Sequence, residues 1–527
     1  MSRRGIHIIV AVVLIALIAG STSYYTLRLP AVDVTSATEV ATAARIDPDY
    51  SGITIPPNIA PLNFFIDEPG MRYFVQIGSA NGEDIEVSSR DGRIVIPPKQ
   101  WRRLLEANRG RDIYFHTYIQ RRDGTWYKYK VMTNTIASED IDNHLVYRLM
   151  NSIYNVWRNV GIYQRNLESF DESVVLHSSS FGAGCVNCHT LRRNNPADML
   201  LNVRPGAHAG PKGGMLVVRN GAVASVVNTK TQFNPIPAIY LAWHPSGRIM
   251  AFSTNRIRQF FHSRGENRDV FDHYSNLAIY NLDTNTVTSN SRISTPDRME
   301  TYPQWSPDGK SLYFCSAPQR SIRNYRNVRY DLMRIGYDLE TDTWTQTETV
   351  LAANELGLSI THPRISPDGR WLLFCACKYG NFSIYQPSSD LYMMDLQTGK
   401  YRRLDINSDK CESWHCWSSN GKWIVFSSKR RDGLLAKPYF SYVEDTGKAR
   451  KPFLLPQADP KFYDSFVKTY NVPQFATGPV PVSQRQLAKA LHSAEKQVKA
   501  KLDPAMATRV PSGVEAENVP YKPGPGG

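Results

Sequence analysis

Four segments of the chain repeat one pattern of apolar and polar residues. Each begins with a large apolar residue, continues through a polar turn that contains glycine, and ends in an apolar run that closes with phenylalanine and a small residue. The segments are Trp243–Ser253, Trp305–Cys315, Ile365–Cys375 and Trp417–Ser427. Strand, turn with a left-handed glycine, and second strand make a β-hairpin. About four strands per unit, repeated roughly every 60 residues, are typical of β-propeller blades.

These repeats resemble the blades of the TolB-like β-propeller family, which carry the signature W-S-P-D-G-K-x-[IL]-x-F. The resemblance covers residues 235–455 and departs from the signature where Ile365 replaces tryptophan and where Ser419 and Asn420 replace proline and aspartate. A hairpin pattern over Met215–Val227 predicts the outer strands of an earlier blade. The resemblance therefore implies a propeller over residues 213–475, with five or six blades.

A second group of short apolar runs precedes the repeats. These runs occupy residues 48–136 and are separated by turns such as Arg90–Gly92 and Arg122–Gly124. This spacing favours a small β-sandwich-like domain, and Trp101–Ala107 predicts one inserted helix. We assign this domain no chemistry of its own.

Residues 140–212 connect these two regions. Leu145, Leu149, Ile153 and Trp157 recur at every fourth position, which is typical of one face of a helix. That helix either packs against its neighbours or forms a wall of a binding site. The sequence thus predicts a helical segment that passes into a loop.

The C-terminal residues 476–527 form a basic tail. Ser483 can cap a helix with a single apolar stripe, made of Leu487, Leu491, Ala494, Val498 and Leu502. Such a helix either docks on the protein or binds a partner or an anionic membrane surface. Proline, glycine and polar residues dominate from Asp503 onward, which predicts disorder.

The N-terminus has the pattern of an export segment. Arg3 and Arg4 precede an apolar run from Ile8 to Ala19, whose length lies between a signal-peptide core and a spanning helix of about 20 residues. Residues 1–30 are therefore an uncleaved transmembrane anchor or a cleaved signal, and we predict the anchor because no clear cleavage site follows. The arginines remain cytoplasmic, so we expect one anchor in the inner membrane and the bulk of the chain in the periplasm.

One short motif carries the candidate chemistry. Cys185, Cys188 and His189 form the pattern C-x-x-C-H, the attachment signature of a c-type haem. Two thiols at this spacing can add to the vinyl groups of one porphyrin edge, and the adjacent imidazole can bind the iron. Gly182 and Gly184 permit close approach of the backbone to a flat ligand. We predict one covalent haem c bound by these three residues.

Two other chemistries use a C-x-x-C pair. A structural zinc site needs two more ligands, usually as a second close pair, and neither Cys375/Cys377 nor Cys411/Cys416 has zinc-knuckle spacing. A redox dithiol of the thioredoxin type would lie at a strand-to-helix turn of a βαβ unit, and the sequence shows no such unit.

The sequence does not decide which residue is the sixth ligand of the iron. Met199 is our first candidate, His208 the second, and His177 and Met215 follow. Histidine and methionine ligation together raise the reduction potential and suit electron transfer. The alternatives are that Met199 is a core residue, or that the sixth position is open and the iron serves ligand sensing or peroxidase chemistry.

The C-x-x-C-H motif followed by the repeats resembles exported, haem-bearing TolB-like proteins of the Bacteroidetes type, over residues 140–475. This resemblance implies an architecture more than an activity. We expect a mono-haem c-type cytochrome that transfers electrons or holds a redox complex together, with the propeller as the docking surface for a redox partner protein or membrane complex. The alternatives are a non-redox TolB-like periplasmic scaffold and a propeller enzyme with a small substrate in its channel.

Composition adds little to this picture. The net charge of +14 suits anionic lipid or an acidic partner, and an exported chain does not meet nucleic acid. No G-x-S-x-G elbow, P-loop or dinucleotide fingerprint follows a strand, so we expect a carrier or binding protein rather than an enzyme. His362 and His415 lie at blade entrances near the expected channel, as structural residues or as ligands. The predicted fold class is mainly β.

Overall fold

The structure, a computed structural model, describes residues 32–151, 159–204, 213–260 and 269–506. The chain divides into two compact units. The first comprises the residues up to Gly52, Pro61–Ile136 and Pro456–Phe462, and the second comprises Ile53–Ala60, Ala137–Leu455 and the residues from Tyr463 onward. The predicted anchor lies outside the described residues, and within them no helix is both long and apolar enough to cross a membrane.

The first unit contains two β-sheets and one helix. Its strands are β1 (Thr38–Val40), β2 (Ile46–Asp47), β4 (Phe64–Ile66), β5 (Arg72–Ser79), β6 (Ile85–Ser89), β7 (Arg93–Ile94), β8 (Asp112–Gln120), β9 (Trp126–Tyr129) and β10 (Met132–Ile136), and its helix is α1 (Pro98–Ala107). Strands β6, β5 and β8 pair in that order, β9 and β10 continue from β8, and β1 pairs with β9, whereas β2, β4 and β7 form the second sheet.

The two sheets of the first unit share an aromatic core. The ring of Phe115 on β8 lies 6.2 Å from the ring of Phe64 on β4 and 6.5 Å from that of Trp101 on α1. All three side chains are buried. Alternating apolar residues therefore form the sheets, and the predicted inserted helix is present with its tryptophan in the core.

The second unit has a β-propeller-type fold with six blades in its described residues. Blade 1 consists of β11 (His144–Asn151), β12 (Gly161–Asn166), β13 (Glu172–His177) and β34 (Lys468–Ala476); blade 2 of β14 (Cys185–Arg192), β15 (Asn195–Arg204), β16 (Gly214–Arg219) and β17 (Ala222–Asn228); and blade 3 of β18 (Leu241–Trp243), β19 (Ile249–Phe260), β20 (Asp269–Asn281) and β21 (Thr286–Thr288).

The last three blades follow the repeats directly. Blade 4 consists of β22 (Arg298–Trp305), β23 (Ser311–Pro318), β24 (Asp331–Asp338) and β25 (Thr343–Leu351); blade 5 of β26 (Ser359–Ile365), β27 (Trp371–Cys377), β28 (Asp390–Asp395) and β29 (Tyr401–Arg403); and blade 6 of β30 (Glu412–Trp417), β31 (Trp423–Ser428), β32 (Lys437–Tyr442) and β33 (Phe453–Leu454). The remaining elements are β3 (Thr54–Ile55), β35 (Gln497–Lys499), β36 (Lys501–Leu502), α2 (Ala353–Leu356), α3 (Phe462–Ser465) and α4 (Gln484–His492).

A strand from near the C-terminus closes the ring. The innermost strands β34, β14, β18, β22, β26 and β30 pack against one another in that order, and β30 returns to β34. Strand β34 pairs with β11, so that Leu145 lies opposite Phe475. The first blade is thus completed by residues far away in sequence, which holds the ring together without a covalent link.

The predicted turns form as the repeats indicate. In blade 4, the amide of Gly309 donates to the carbonyl of Ser306 at 2.9 Å, and Gly309 has a φ of +75°. The hydroxyl of Ser306 also accepts from the amide of Ser311 at 3.0 Å. Because glycine adopts this left-handed conformation at little cost, the turn brings two apolar strands into register.

The helix predicted in residues 140–212 is wrong. Leu145 and Leu149 lie on strand β11, while Ile153 and Trp157 fall outside the described residues. A spacing of four residues satisfies both the period of a helix and the alternation of a strand, so this pattern did not discriminate between them. The segment predicted as loop is strand as well, and the propeller begins at His144 rather than at residue 213.

The tail is a short helix followed by two edge strands. Helix α4 begins with the predicted cap at Ser483, which with Gln486 forms a capping box, and it ends at His492. Val498 and Leu502 lie on β35 and β36, which add to blades 2 and 3 in parallel. The single long helix was therefore wrong beyond His492.

Ordered structure also continues a little past Asp503. Met506 is buried, and the amide of Asp503 donates to the carbonyl of Val287 at 2.9 Å. The predicted disorder from Asp503 onward is thus wrong for these first residues, and the rest of that segment falls outside the described residues.

Candidate functional site

The C-x-x-C-H motif lies on β14, the innermost strand of blade 2. A short turn, Ser178–Phe181, leads into it, and Gly182 follows in a left-handed conformation. A Cβ on Gly184 would lie 2.4 Å from the carbonyl oxygen of Arg204 and 2.5 Å from the ring of Phe181. Glycine at position 184 therefore permits close packing of β14 against its own blade. From the sequence alone, we expected this glycine to admit a flat ligand instead.

The innermost strands share a bulge that directs one side chain toward the propeller axis. In β22, β26 and β30 the ladder shifts by one residue, and the first bulged residue has a positive φ; these residues are Tyr302, His362 and Trp414. Strand β14 has a similar shift between Val186 and His189. Cys188 is the second residue of this shift, and it belongs to the same buried cluster as Tyr240, Tyr302, Trp414 and Val472.

Aromatic rings from blades 3 to 6 fill the axis. The ring of Tyr302 lies 4.2 Å from that of Tyr240 and 3.9 Å from that of His362, and the ring of Trp414 lies 4.2 Å from that of His362. Tyr240 and Trp414, on opposite blades, are 6.1 Å apart. We call Tyr240, Tyr302, His362 and Trp414 the axial ring. Cys188 completes it from the side of blade 2.

Both thiols of the motif are buried and reduced. Cys185 is 3% exposed and Cys188 is 8% exposed, and neither forms a disulfide. Burial raises the pKa of both thiols, and the positive charges of Arg148 and Arg204 partly counteract it. Arg148 also donates to the side-chain carbonyl of Asn187 at 3.1 Å. The pair is therefore protonated at neutral pH and lies in a positive field.

His189 is a neutral, unsatisfied imidazole. It is 4% exposed, and neither ring nitrogen makes a hydrogen bond of good geometry with a described residue. Burial lowers the pKa of His189 to about 4, although the nearby carbonyl of Val146 favours the protonated ring. A buried polar group without a partner costs free energy. The ring is thus in the neutral state that a metal requires of an imidazole ligand.

The donor set at this position contains the residue types that bind a c-type haem. Two thiols outside any disulfide and one neutral imidazole lie on a single strand, and neither ring nitrogen has a hydrogen-bond partner in the described structure. The described residues hold no group of three or more histidine, cysteine or acidic side chains arranged for a bare metal ion.

The candidates for the sixth ligand are dispersed. Met199 lies on β15 opposite Leu191 and is completely buried in the apolar core that blades 1 and 2 share. Met215 is buried between blades 2 and 3, and His177 ends β13, where its ring contacts Ser179 and Asn159. His208 falls outside the described residues. Ligation by Met199 stays a prediction, and it would require the core around this side chain to open.

The five other cysteines are buried in the propeller. The thiol of Cys375 lies 3.5 Å from Nδ1 of His415, and that ring contacts the carbonyl of Leu373 through Nε2 at 3.0 Å. Burial lowers the pKa of His415 to about 3 and raises that of Cys375 to about 12. These groups are neutral and packed, as expected for structural residues.

The sequence did not reveal the axial ring, although it contained a signal. Tyr240, Tyr302, His362 and Trp414 each precede the first residue of a repeat by three positions. The shared signature begins at the first residue of each repeat and does not include the bulge. One large ring per repeat, three residues before that first residue, is the signal that points to the axis.

Comparison with known proteins gives weak similarities. No family model matches the chain. The chain is 26% identical to dipeptidyl-peptidase 5 of Porphyromonas gingivalis over 167 residues. This aligned region covers 31% of this chain and 20% of that protein. The chain thus spans about a fifth of the length of this curated relative.

Two solved structures are similar at low identity. Prolyl oligopeptidase B of Galerina marginata matches 64% of this chain and 42% of its own at 10% identity, with a TM-score of 0.32. An oligogalacturonate lyase in complex with manganese is similar over 72% of this chain and 98% of its own chain, at 13% identity and with a TM-score of 0.28. None of these similarities reaches the level from which membership of a family follows.

Proposed function

We propose that this chain is an exported, membrane-anchored c-type cytochrome with one haem, in which the propeller serves as a docking surface for a redox partner. The observation that carries the proposal is His189, a buried neutral imidazole without a described partner, immediately after two reduced thiols. The resemblance of the motif and the repeats to haem-bearing TolB-like proteins of the Bacteroidetes type supports it. So does the export pattern at residues 1–30, which predicts an inner-membrane anchor and a periplasmic bulk.

Three residues would hold the cofactor. Cys185 and Cys188 would each add their S–H across one vinyl group, sulfur to one carbon and hydrogen to the next, so the addition consumes no oxidant. His189 would give the iron a neutral nitrogen ligand, because its pKa of about 4 leaves it unprotonated. A bound haem supplies a one-electron iron couple.

The surrounding charges would favour the reduced state of such a site. Arg148 and Arg204 act electrostatically on both thiols, and within the described residues neither forms an ion pair. Positive charges near a redox centre stabilise the form with one more electron. This is consistent with an electron carrier of raised potential.

The alternative is a non-redox periplasmic scaffold of the TolB-like type. In that case Cys185, Cys188 and His189 would be core residues of blade 2, and their burial alone would explain them. The unpartnered imidazole favours the cytochrome, since a purely structural histidine usually satisfies at least one ring nitrogen.

The test is covalent attachment. The full chain, produced together with a cytochrome c maturation system, should carry one haem that resists acid–acetone extraction and gives a thioether-type pyridine haemochrome spectrum. Replacing Cys185 and Cys188 by alanine should abolish attachment, whereas Cys411→Ala, another buried propeller cysteine, should retain it. Wild-type protein that folds and stays colourless under these conditions would overturn the cytochrome proposal.

A further inference from the structure

Arg364 carries a charge on the propeller axis without a carboxylate partner among the described residues. It lies on β26, and its Nη1 donates to the side-chain carbonyl of Gln304 at 2.7 Å and more weakly to the backbone carbonyl of Pro363 at 3.5 Å. A guanidinium has five N–H donors. Those on Nε and Nη2 have no described acceptor.

The neighbours of Arg364 are neutral. Burial lowers the pKa of Arg364, and the groups that act on it are the thiols of Cys416, Cys188 and Cys375 and the hydroxyl of Tyr302. Its charge in turn contributes to the lowered pKa values of His362 and His415. The side chain of Arg364 is only partly exposed, so an anion bound to its free donors would balance a charge that water solvates incompletely.

Polar side chains occupy the position of Arg364 on two other innermost strands. Each is the first paired residue after the bulge of its strand; they are Gln304, Arg364 and Gln474, which we call the polar collar. All three are partly exposed, unlike the buried residues beside them. The Oε1 atom of Gln474 accepts from the amide of Leu191 at 3.1 Å, so its amide nitrogen is left as a donor. The collar thus combines one cation with partly exposed hydrogen-bonding groups.

The axial ring adds two further unsatisfied atoms. Nε1 of Trp414 and Nε2 of His362 are buried and have no hydrogen-bond partner among the described residues. The indole nitrogen can only donate. His362 lies on β26 beside Arg364 and Trp414 lies on the neighbouring β30, so the indole N–H is a further donor without an acceptor near the collar.

We propose that the polar collar binds a small carboxylate at the propeller axis, with Arg364 as its charged anchor. A carboxylate fits the two parallel donors of a guanidinium, and its single charge balances the single charge of Arg364. A dianionic phosphate would leave one charge uncompensated at a partly buried site. The rings of the axial ring pack against one another, so the ligand is a small acid rather than an extended chain. This proposal does not depend on haem.

The experiment is a titration of the full chain, produced without haem-attachment machinery, with sodium acetate at constant ionic strength set by chloride. Isothermal titration calorimetry and the melting temperature are read together, and inorganic phosphate is titrated in parallel. We expect acetate to bind and to raise the melting temperature, and Arg364→Gln to weaken binding by more than about tenfold. The matched control is Arg334→Gln, which removes an exposed arginine paired with Glu348 and should bind acetate as the wild type does.

Arg364→Lys distinguishes the geometry from the charge. It retains a cation without the planar guanidinium, so acetate should bind to it measurably but more weakly than to the wild type. If Arg364→Gln does not fold, Arg364→Lys provides the test of Arg364 in its place. Wild-type protein that acetate neither binds nor stabilises would overturn the proposal, as would tighter binding of phosphate than of acetate. Equal acetate affinity of Arg364→Gln and wild type would show that the anion binds elsewhere.

Discussion

The carboxyl group of Asp272 accepts a hydrogen bond from the side-chain amide of Asn381, which lies two blades away. The same oxygen accepts from Nδ2 of Asn255 at 2.8 Å and from the hydroxyl of Tyr330 at 3.3 Å. Asp272 belongs to the hairpin of β19 and β20, which extends past the innermost strand of blade 3. This hairpin therefore reaches across blade 4 and is fixed to blade 5 by a completely enclosed carboxyl group.

The titration of Asp272 should make the protein less stable as the pH rises from about 4 to 8. Burial raises the pKa of Asp272 to about 7, against 3.8 for the free side chain. Between these values the folded state binds a proton that the unfolded state releases, so the free energy of unfolding falls with increasing pH, by up to about 4 kcal/mol. Buried histidines such as His189 and His415, whose pKa values are lowered to about 4 and about 3, contribute a slope of the opposite sign. Urea denaturation at pH 5 and pH 8 therefore measures the contribution of Asp272 as the difference between the wild type and a variant without this carboxyl group.

Asp272→Asn isolates the contribution of this carboxyl group. The amide keeps an oxygen for the three donors and cannot ionise, so the free energy of unfolding of the variant should rise relative to that of the wild type between pH 5 and pH 8. A residual slope is expected from Glu300, whose pKa burial also raises to about 7. The exposed Glu348→Gln should leave the wild-type slope intact, and an unchanged slope in Asp272→Asn would show that Asp272 is ionised in the folded protein.

Gly184→Ala should destabilise the propeller by about 1–3 kcal/mol, because the new methyl group meets the backbone of Arg204 and the ring of Phe181 at under 3 Å. Gly478→Ala is the matched control, since a Cβ there meets no atom within 4 Å. Chemical denaturation of both variants gives the comparison. Equal stabilities would mean that β14 can move away from its blade at no cost.

Leu487→Ala should cost about 2–5 kcal/mol. Leu487 is the buried residue by which α4 enters the core of blades 1 and 2, with an exposure of 0%. Lys489→Ala, on the exposed face of the same helix, should change the free energy of unfolding by less than about 0.5 kcal/mol. If the two variants were equally stable, the packing of α4 would not contribute to the stability of the propeller.

Local signals in this sequence predicted local structure well. The turn around Gly309 and the strands on either side are specified by adjacent residues, and so is the cap at Ser483. Blade 1 could not be found in this way, because its innermost strand lies far from β11 in sequence. The spacing of Leu145 and Leu149 fits a helix and a strand equally well, and the pairing of Leu145 with Phe475 makes this segment a strand in the fold.

The candidate site shows a similar division between local and distant information. The spacing of Cys185, Cys188 and His189 is a covalent requirement and is visible in sequence. The burial of His189 depends on packing against blade 1, and the charge of Arg364 reaches Cys188 only because opposite blades meet at the axis. Such relationships follow from ring closure, which no single repeat encodes.

The hypothesis that Met199 is the sixth ligand predicts a specific spectral change. Met199→Leu keeps the volume of this side chain in the core of blades 1 and 2, so the fold should be retained at a cost below about 1.5 kcal/mol. In haem-loaded protein the variant should lose the weak long-wavelength absorption of ferric haem bound by methionine, and its reduction potential should fall because a thioether favours ferrous iron. Met250→Leu, which changes another buried methionine between blades 2 and 3, is the matched control and should change neither property. An unchanged spectrum and potential in Met199→Leu would make Met199 a core residue, and His208 would then be the next ligand to replace.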